Sequence, residues 1–167
     1  QAMQNLEKYL NQCGYSNPKV EVWGQNNLIG FLKVFPSLAL ELNGRAGLRF
    51  QTHKSWSQDA EMRKELKAGP AQKELISSIQ NELRRDTDAV HIRVWGEPGI
   101  GKTKLVLEAT RADDLRPCVI YCDSARKFRD SDLMNEILKE DSKFHVVLVI
   151  DECDPDSGSC IWNKLKY

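Results

Sequence analysis

Residues 96–103 read Gly96-Glu97-Pro98-Gly99-Ile100-Gly101-Lys102-Thr103 and match G-x-x-x-x-G-K-[ST] at every fixed position. The chemistry this spacing permits is the cradling of a polyphosphate. Gly96 and Gly101 admit backbone conformations that a side chain would block. The loop's N–H groups can then wrap phosphate oxygens, with the positive end of the following helix behind them. Lys102 is placed to reach the β- and γ-phosphates, and the Thr103 hydroxyl to bind Mg²⁺. Lys104 completes the nucleotide-contacting run. A second reactive pair, Asp151-Glu152, follows much later in the chain. An acid at the end of a strand can hold Mg²⁺, usually through water. The adjacent Glu152 can orient and polarise an attacking water. The expected ligands are therefore ATP and Mg²⁺, with Lys102 and Glu152 catalytic and Thr103 and Asp151 at the metal.

These groups need particular elements to carry them. Ala89 to Trp95 is β-branched, apolar and alternating, which predicts a strand running into Gly96. After Thr103, Leu105, Val106, Leu107 and Ala109 predict a helix that frays at Asp113-Asp114, before Pro117. Strand, glycine loop and helix is the order such a site requires. Cys118 to Cys122 is a second apolar run. Ser131 is expected to cap a short helix carrying Leu133, Met134, Ile137 and Leu138. Val146 to Ile150 is continuously apolar, which predicts a parallel strand buried on both faces, ending in the acidic pair. Both acids then stand at the carboxyl edge of the sheet, where open α/β sheets bind ligands. The predicted fold is α/β, a three-layer P-loop sheet that is parallel and incomplete, preceded by a small α/β leader.

In the leader, Met3 to Gln12 has an amphipathic helical pattern, Cys13 to Pro18 is a turn, and Val20 to Trp23 reads as a strand. Asn26 or Asn27 is expected to cap a helix ended by Pro36, and Leu38 to Leu42 continues apolar to Asn43-Gly44. Residues 1–44 read as the tail of an N-terminal domain, 45–69 as a polar linker with Trp56 as a possible anchor, and 70–167 as the start of the nucleotide domain. Pro70 opens a helix through Arg85. The turn before it makes Leu66 and Gln72 base-contact candidates, with a plain helix start as the alternative. Asp59 and Glu65-Leu66-Lys67 mimic the D…E-x-K pattern of metal-dependent nucleases. Their charged surroundings read instead as a solvated helix. Trp23 and Trp95 read as packing residues rather than base-stacking platforms.

Composition narrows the classes. The 167 residues are 41% hydrophobic and 29% charged with zero formal net charge, which gives no support for broad nucleic-acid binding. No apolar run is long enough to span a bilayer and no signal peptide is visible, so the expected location is cytoplasmic and no membrane is expected. Five cysteines do not suggest a disulfide framework. Cys118 and Cys122 lie at opposite ends of one strand, and Cys153 and Cys160 flank the acidic turn. A zinc site with His145 or His53 is disfavoured against buried or incidental thiols. The chain starts without Met and stops soon after the third apolar run, so it is expected to be part of something longer.

The run Val94-Trp95-Gly96-Glu97-Pro98-Gly99-Ile100-Gly101-Lys102-Thr103-Lys104-Leu105-Val106-Leu107-Glu108-Ala109 resembles the loop and first helix of bacterial STAND NTPases, relatives of the AAA+ ATPases. The resemblance covers about residues 70–155, includes Val149 to Asp154, and suggests the branch of antiviral (Avs-like) sensors. Val20 to Ile29 is similar to the last strand and helix of restriction-endonuclease-like (Mrr-type) effectors. The resemblance implies ATP binding that permits homo-oligomerisation once a phage or other trigger protein is sensed, activating an effector that acts on DNA. Two other classes stay open: a AAA+ motor or loader on DNA, and a non-hydrolysing, nucleotide-bound scaffold.

Overall fold

Strict alternation in two short strands organises the core. Val119–Cys122 (β2) and Val147–Ile150 (β3) pair in parallel, with Val119 opposite Val147 and Cys122 opposite Ile150. Side chains on a strand point alternately to its two faces. Val119, Tyr121, Val147 and Val149 accordingly pack with Trp56 and Leu107 in one cluster. Ile120, Cys122, Leu148 and Ile150 pack on the other face with Phe50, Phe128, Met134 and Ile161. The sheet therefore has an apolar cluster on each side.

The computed structural model describes residues 24–35, 37, 38, 40, 50–85, 89–138 and 145–166. Two compact units divide the chain, Gln1–Phe31 and Leu32–Tyr167. Of the first unit, only 24–31 are described, the opening of helix α1 (Gln25–Val34). The expected helix at Met3 to Gln12, the turn at Cys13 to Pro18 and the strand at Val20 to Trp23 lie outside the described residues.

The second unit is mixed α/β. Its three-stranded sheet has the order β1-β2-β3, where β1 (Gln51–Thr52) is antiparallel to β2. The expected purely parallel sheet is thus corrected to a mixed one. Helix α2 (His53–Ser57) follows β1 at once, capped by the Thr52 hydroxyl. Trp56 is fully buried and stacks on Tyr121 with centroids 4.4 Å apart and ring planes 10° apart. Residues 50–57 of the expected linker are therefore part of the sheet and its core. Their polarity misleads because two aromatic residues, Phe50 and Trp56, supply the apolar core of the stretch.

Helix α3 (Pro70–Leu83) starts as expected at Pro70. Helix α4 (Lys102–Ala109) buries Leu105, Leu107 and Ala109. A 3₁₀ turn (Arg116–Cys118) leads into β2, and α5 (Ala125–Arg129) and α6 (Asp132–Ile137) follow. The Ser131 hydroxyl accepts from the Met134 N–H at 3.3 Å, the predicted cap. Helix α7 (Pro155–Leu165) opens on Asp154, whose carboxylate accepts from the Asp156 and Ser157 N–H groups. A side-chain hydrogen bond from Ser157, followed by these backbone bonds, holds the Asp154 carboxyl below its ordinary range. His53 Nε2 lies 3.1 Å from the Leu107 carbonyl, and burial pushes the imidazole below its ordinary value.

Three further expectations change. Ala89 to Trp95 belongs to no helix or strand among the described residues, although its exposure still alternates. Its side chains dock on α7 instead: His91 stacks on Trp162, and Arg93 donates to the Pro155 carbonyl and the Ser159 hydroxyl. Residues 146–150, expected to be buried on both faces, are half-buried, because β3 pairs with β2 alone among the described strands. Residues 61–67, expected as a solvated helix, are largely solvated but form turns and coil.

Trp56→Ala is expected to cost about 3–5 kcal/mol, read from the urea midpoint of unfolding. An unchanged midpoint would show that 50–57 do not belong to the core.

Candidate functional site

The left-handed backbone at Gly99 (φ 81°) and Gly101 (φ 92°) turns the loop back onto the first turn of α4. A side chain at either position would be strained. Gly101 ends the loop as the residue before α4, and its carbonyl accepts from the Leu105 N–H at 2.9 Å. Residues Gly96 to Gly101, with Glu97, Pro98 and Ile100 between the glycines, are all exposed. The Lys102 ammonium folds back over them, donating to the Gly96 and Glu97 carbonyls at 2.9 Å each. It thus sits over the loop at the amino end of a helix, where the dipole also favours an anion.

Strand parity decides what faces that helix. Asp151 has the parity of Val147 and Val149, on the α4 side of the sheet. Its N–H extends the ladder by one bond, to the Cys122 carbonyl at 2.9 Å. The Thr103 hydroxyl donates to Asp151 Oδ2 at 2.8 Å, joining residues 48 apart in sequence. Tyr121 donates to the same oxygen at 3.3 Å. Asp151 Oδ1 accepts the Glu152 N–H at 3.1 Å. Burial, and then the charge of Asp151, hold the Tyr121 phenol well above its ordinary range, so it stays a donor. Tyr121 was absent from the sequence-predicted site. Its signal was its odd position in β2, which matters only once β2 and β3 are known to be neighbours.

Glu152 is exposed and has φ 41°, the one non-glycine residue with positive φ among those described. The backbone leaves the strand at this point, so Glu152 departs from the direction set by β3. Such conformations are costly and cluster at working sites.

A hydroxyl and a carboxylate held 2.8 Å apart are hard oxygen donors, the set that suits Mg²⁺. Thr103 donates its proton to Asp151 and keeps its lone pairs for a cation. Among the described residues no three His, Cys, Asp or Glu side chains converge on one point. Mg²⁺ does not need such a cage, since it commonly uses one or two protein oxygens together with substrate phosphates. The donor set fits the ion.

Other expected contacts do not converge here. The Lys104 side chain donates to the Met62 carbonyl at 2.6 Å and pairs with Glu108 at 3.1 Å, so it ties α4 to the 59–63 turn instead of facing the loop. Gln72 Oε1 accepts from the Gly69 N–H at 2.8 Å and thus serves the start of α3. Trp95, expected to pack, is 70% exposed beside the loop. Cys118, Cys122, Cys153 and Cys160 are free thiols. A cavity of ≈ 660 Å³ lined by His53, Lys54, Arg111 and Arg116 lies past the carboxyl end of α4, away from the loop.

No helix among the described residues is long and apolar enough to cross a membrane. Compared with known protein families, with curated proteins and with solved structures, the chain finds no match.

Glu152→Gly should relieve the left-handed strain and raise stability by about 1 kcal/mol, measured by urea unfolding. A lower midpoint would mean that the Glu152 side chain makes a stabilising contact that outweighs the strain.

Proposed function

We propose that the chain binds ATP with Mg²⁺ in a P-loop fold, as the switch module of a STAND-type sensor in bacterial antiviral defence. The observation that carries this reading is the 2.8 Å bond between Thr103 and Asp151. Two motifs read separately from the sequence meet at one point, at the amino end of α4 and beside the exposed glycine loop. A chance octapeptide has no reason to meet a strand-end acid on its helix-facing side.

In this reading the Gly96–Gly101 backbone wraps the phosphates, and Lys102 exchanges its two loop carbonyls for phosphate oxygens. Thr103 and Asp151 would hold Mg²⁺, which supplies neutralisation of phosphate charge when bound. Glu152, one residue beyond the metal acid, orients the attacking water and accepts its proton. The wider role rests on the resemblance. Nucleotide binding would permit homo-oligomerisation after a phage or other trigger protein is sensed and so activate an N-terminal effector, a nuclease in this reading.

Lys102→Ala is expected to abolish the rise in melting temperature that Mg-ATP produces in the intact protein. Stabilisation that survives this change would falsify the site assignment. Glu152→Gln should keep nucleotide binding while slowing turnover about a hundredfold or more. Steady-state phosphate release at the wild-type rate would remove Glu152 from its role.

A further inference from the structure

We propose that Tyr121 is the positioning residue for the Asp151 carboxylate, and that Trp56 holds Tyr121 in place for it. The cation affinity of the site then depends on Gln51–Ser57, a segment that supplies no group to nucleotide or metal. This inference rests on the Mg²⁺-nucleotide reading of the site.

A carboxylate offers about four acceptor directions. At Asp151 three are in use: Thr103 and Tyr121 on Oδ2, and the Glu152 N–H on Oδ1. Both rotation of the carboxylate and swing of the side chain are thereby restrained, and one acceptor direction on Oδ1 is left unused. A ligand already held in its binding orientation loses little freedom when the cation arrives. Removal of such an outer hydrogen-bond partner typically weakens metal binding by about 10–100-fold.

The Tyr121 hydroxyl can do this only if its ring stays put. Backbone pairing fixes Tyr121 opposite Val149, and the fully buried Trp56 lies flat against its ring. The Trp56 indole N–H has no hydrogen-bond partner among the described residues. Ring packing, not a polar tether, therefore sets the indole's position. Trp56 is in turn anchored by α2, whose start is capped by Thr52 of β1, and by an edge-on contact with His53. The line Trp56–Tyr121–Asp151–Thr103 runs through direct contacts to the first turn of α4, and Thr52 caps the helix that carries Trp56.

The test uses Tyr121→Phe, which keeps the stacked ring and deletes only the hydroxyl. Binding of a non-hydrolysable ATP analogue is measured by calorimetry on the full chain, once with Mg²⁺ and once with EDTA. The expected result is a loss of about tenfold in affinity with Mg²⁺ and no change in EDTA. Trp56→Phe, which loosens the stack without emptying the core, should give a smaller loss of the same Mg²⁺-specific kind. Equal Mg²⁺-dependent affinities for wild type and Tyr121→Phe would overturn the inference and leave the nucleotide site standing. So would an equal loss in Mg²⁺ and in EDTA, since the hydroxyl would then support the fold generally. A wild-type chain that binds no Mg-nucleotide would overturn the functional reading first, and this inference with it.

Discussion

The Asp151 carboxylate is where β2, β3 and α4 meet, and the geometry around it depends on all three. Thr103 reaches it from the first turn of α4, Tyr121 from β2, and the Glu152 N–H from its own chain. A half-buried carboxylate is stable only when its oxygens are satisfied. These three donors satisfy it without a buried cation. The same contacts set the distance between sheet and helix at the edge where the glycine loop turns.

The two faces of the sheet do different work. On the side of Ile120, Cys122 and Phe128, packing is apolar and closes over α5, α6 and α7. On the side of Val119, Tyr121 and Val149, the apolar cluster gives way to polar groups as it approaches the strand ends. Trp56 fills the middle of that side, and Asp151 begins where the filling ends. Lys104 adds a further constraint: its side chain is 12% exposed and is tied to Glu108 and Met62. It ties α4 to the 59–63 turn. A pair this enclosed is held by geometry and by its extra carbonyl bond more than by charge alone.

The residues of the candidate site are legible in the sequence because they sit in short, fixed patterns. Gly99, Gly101, Lys102 and Thr103 lie within one octapeptide, and Asp151-Glu152 directly follows an apolar run. Helix starts at Pro70 and after Ser131 were readable for the same reason, since capping depends on residues a few positions apart. Long-range matters were harder. Gln72 and Lys104 have polar side chains beside the expected site, yet each spends its hydrogen bonds on structure. The stretch 45–69 reads as a linker because its hydrophobic content is low, yet Phe50 and Trp56 within it are core residues.

Local order alone determined where the glycine loop lies, which strand ends in an acid, and where α3, α4 and α6 begin, because those properties depend on neighbours along the chain. Folding in three dimensions decided that Asp151 faces Thr103, that Tyr121 joins them, that β1 enters antiparallel, and that Ala89 to Trp95 docks by its side chains without a ladder. Those outcomes rest on which strands become neighbours and which face each residue presents. A period of two identifies the faces of each strand, but only pairing brings the faces of separate strands together.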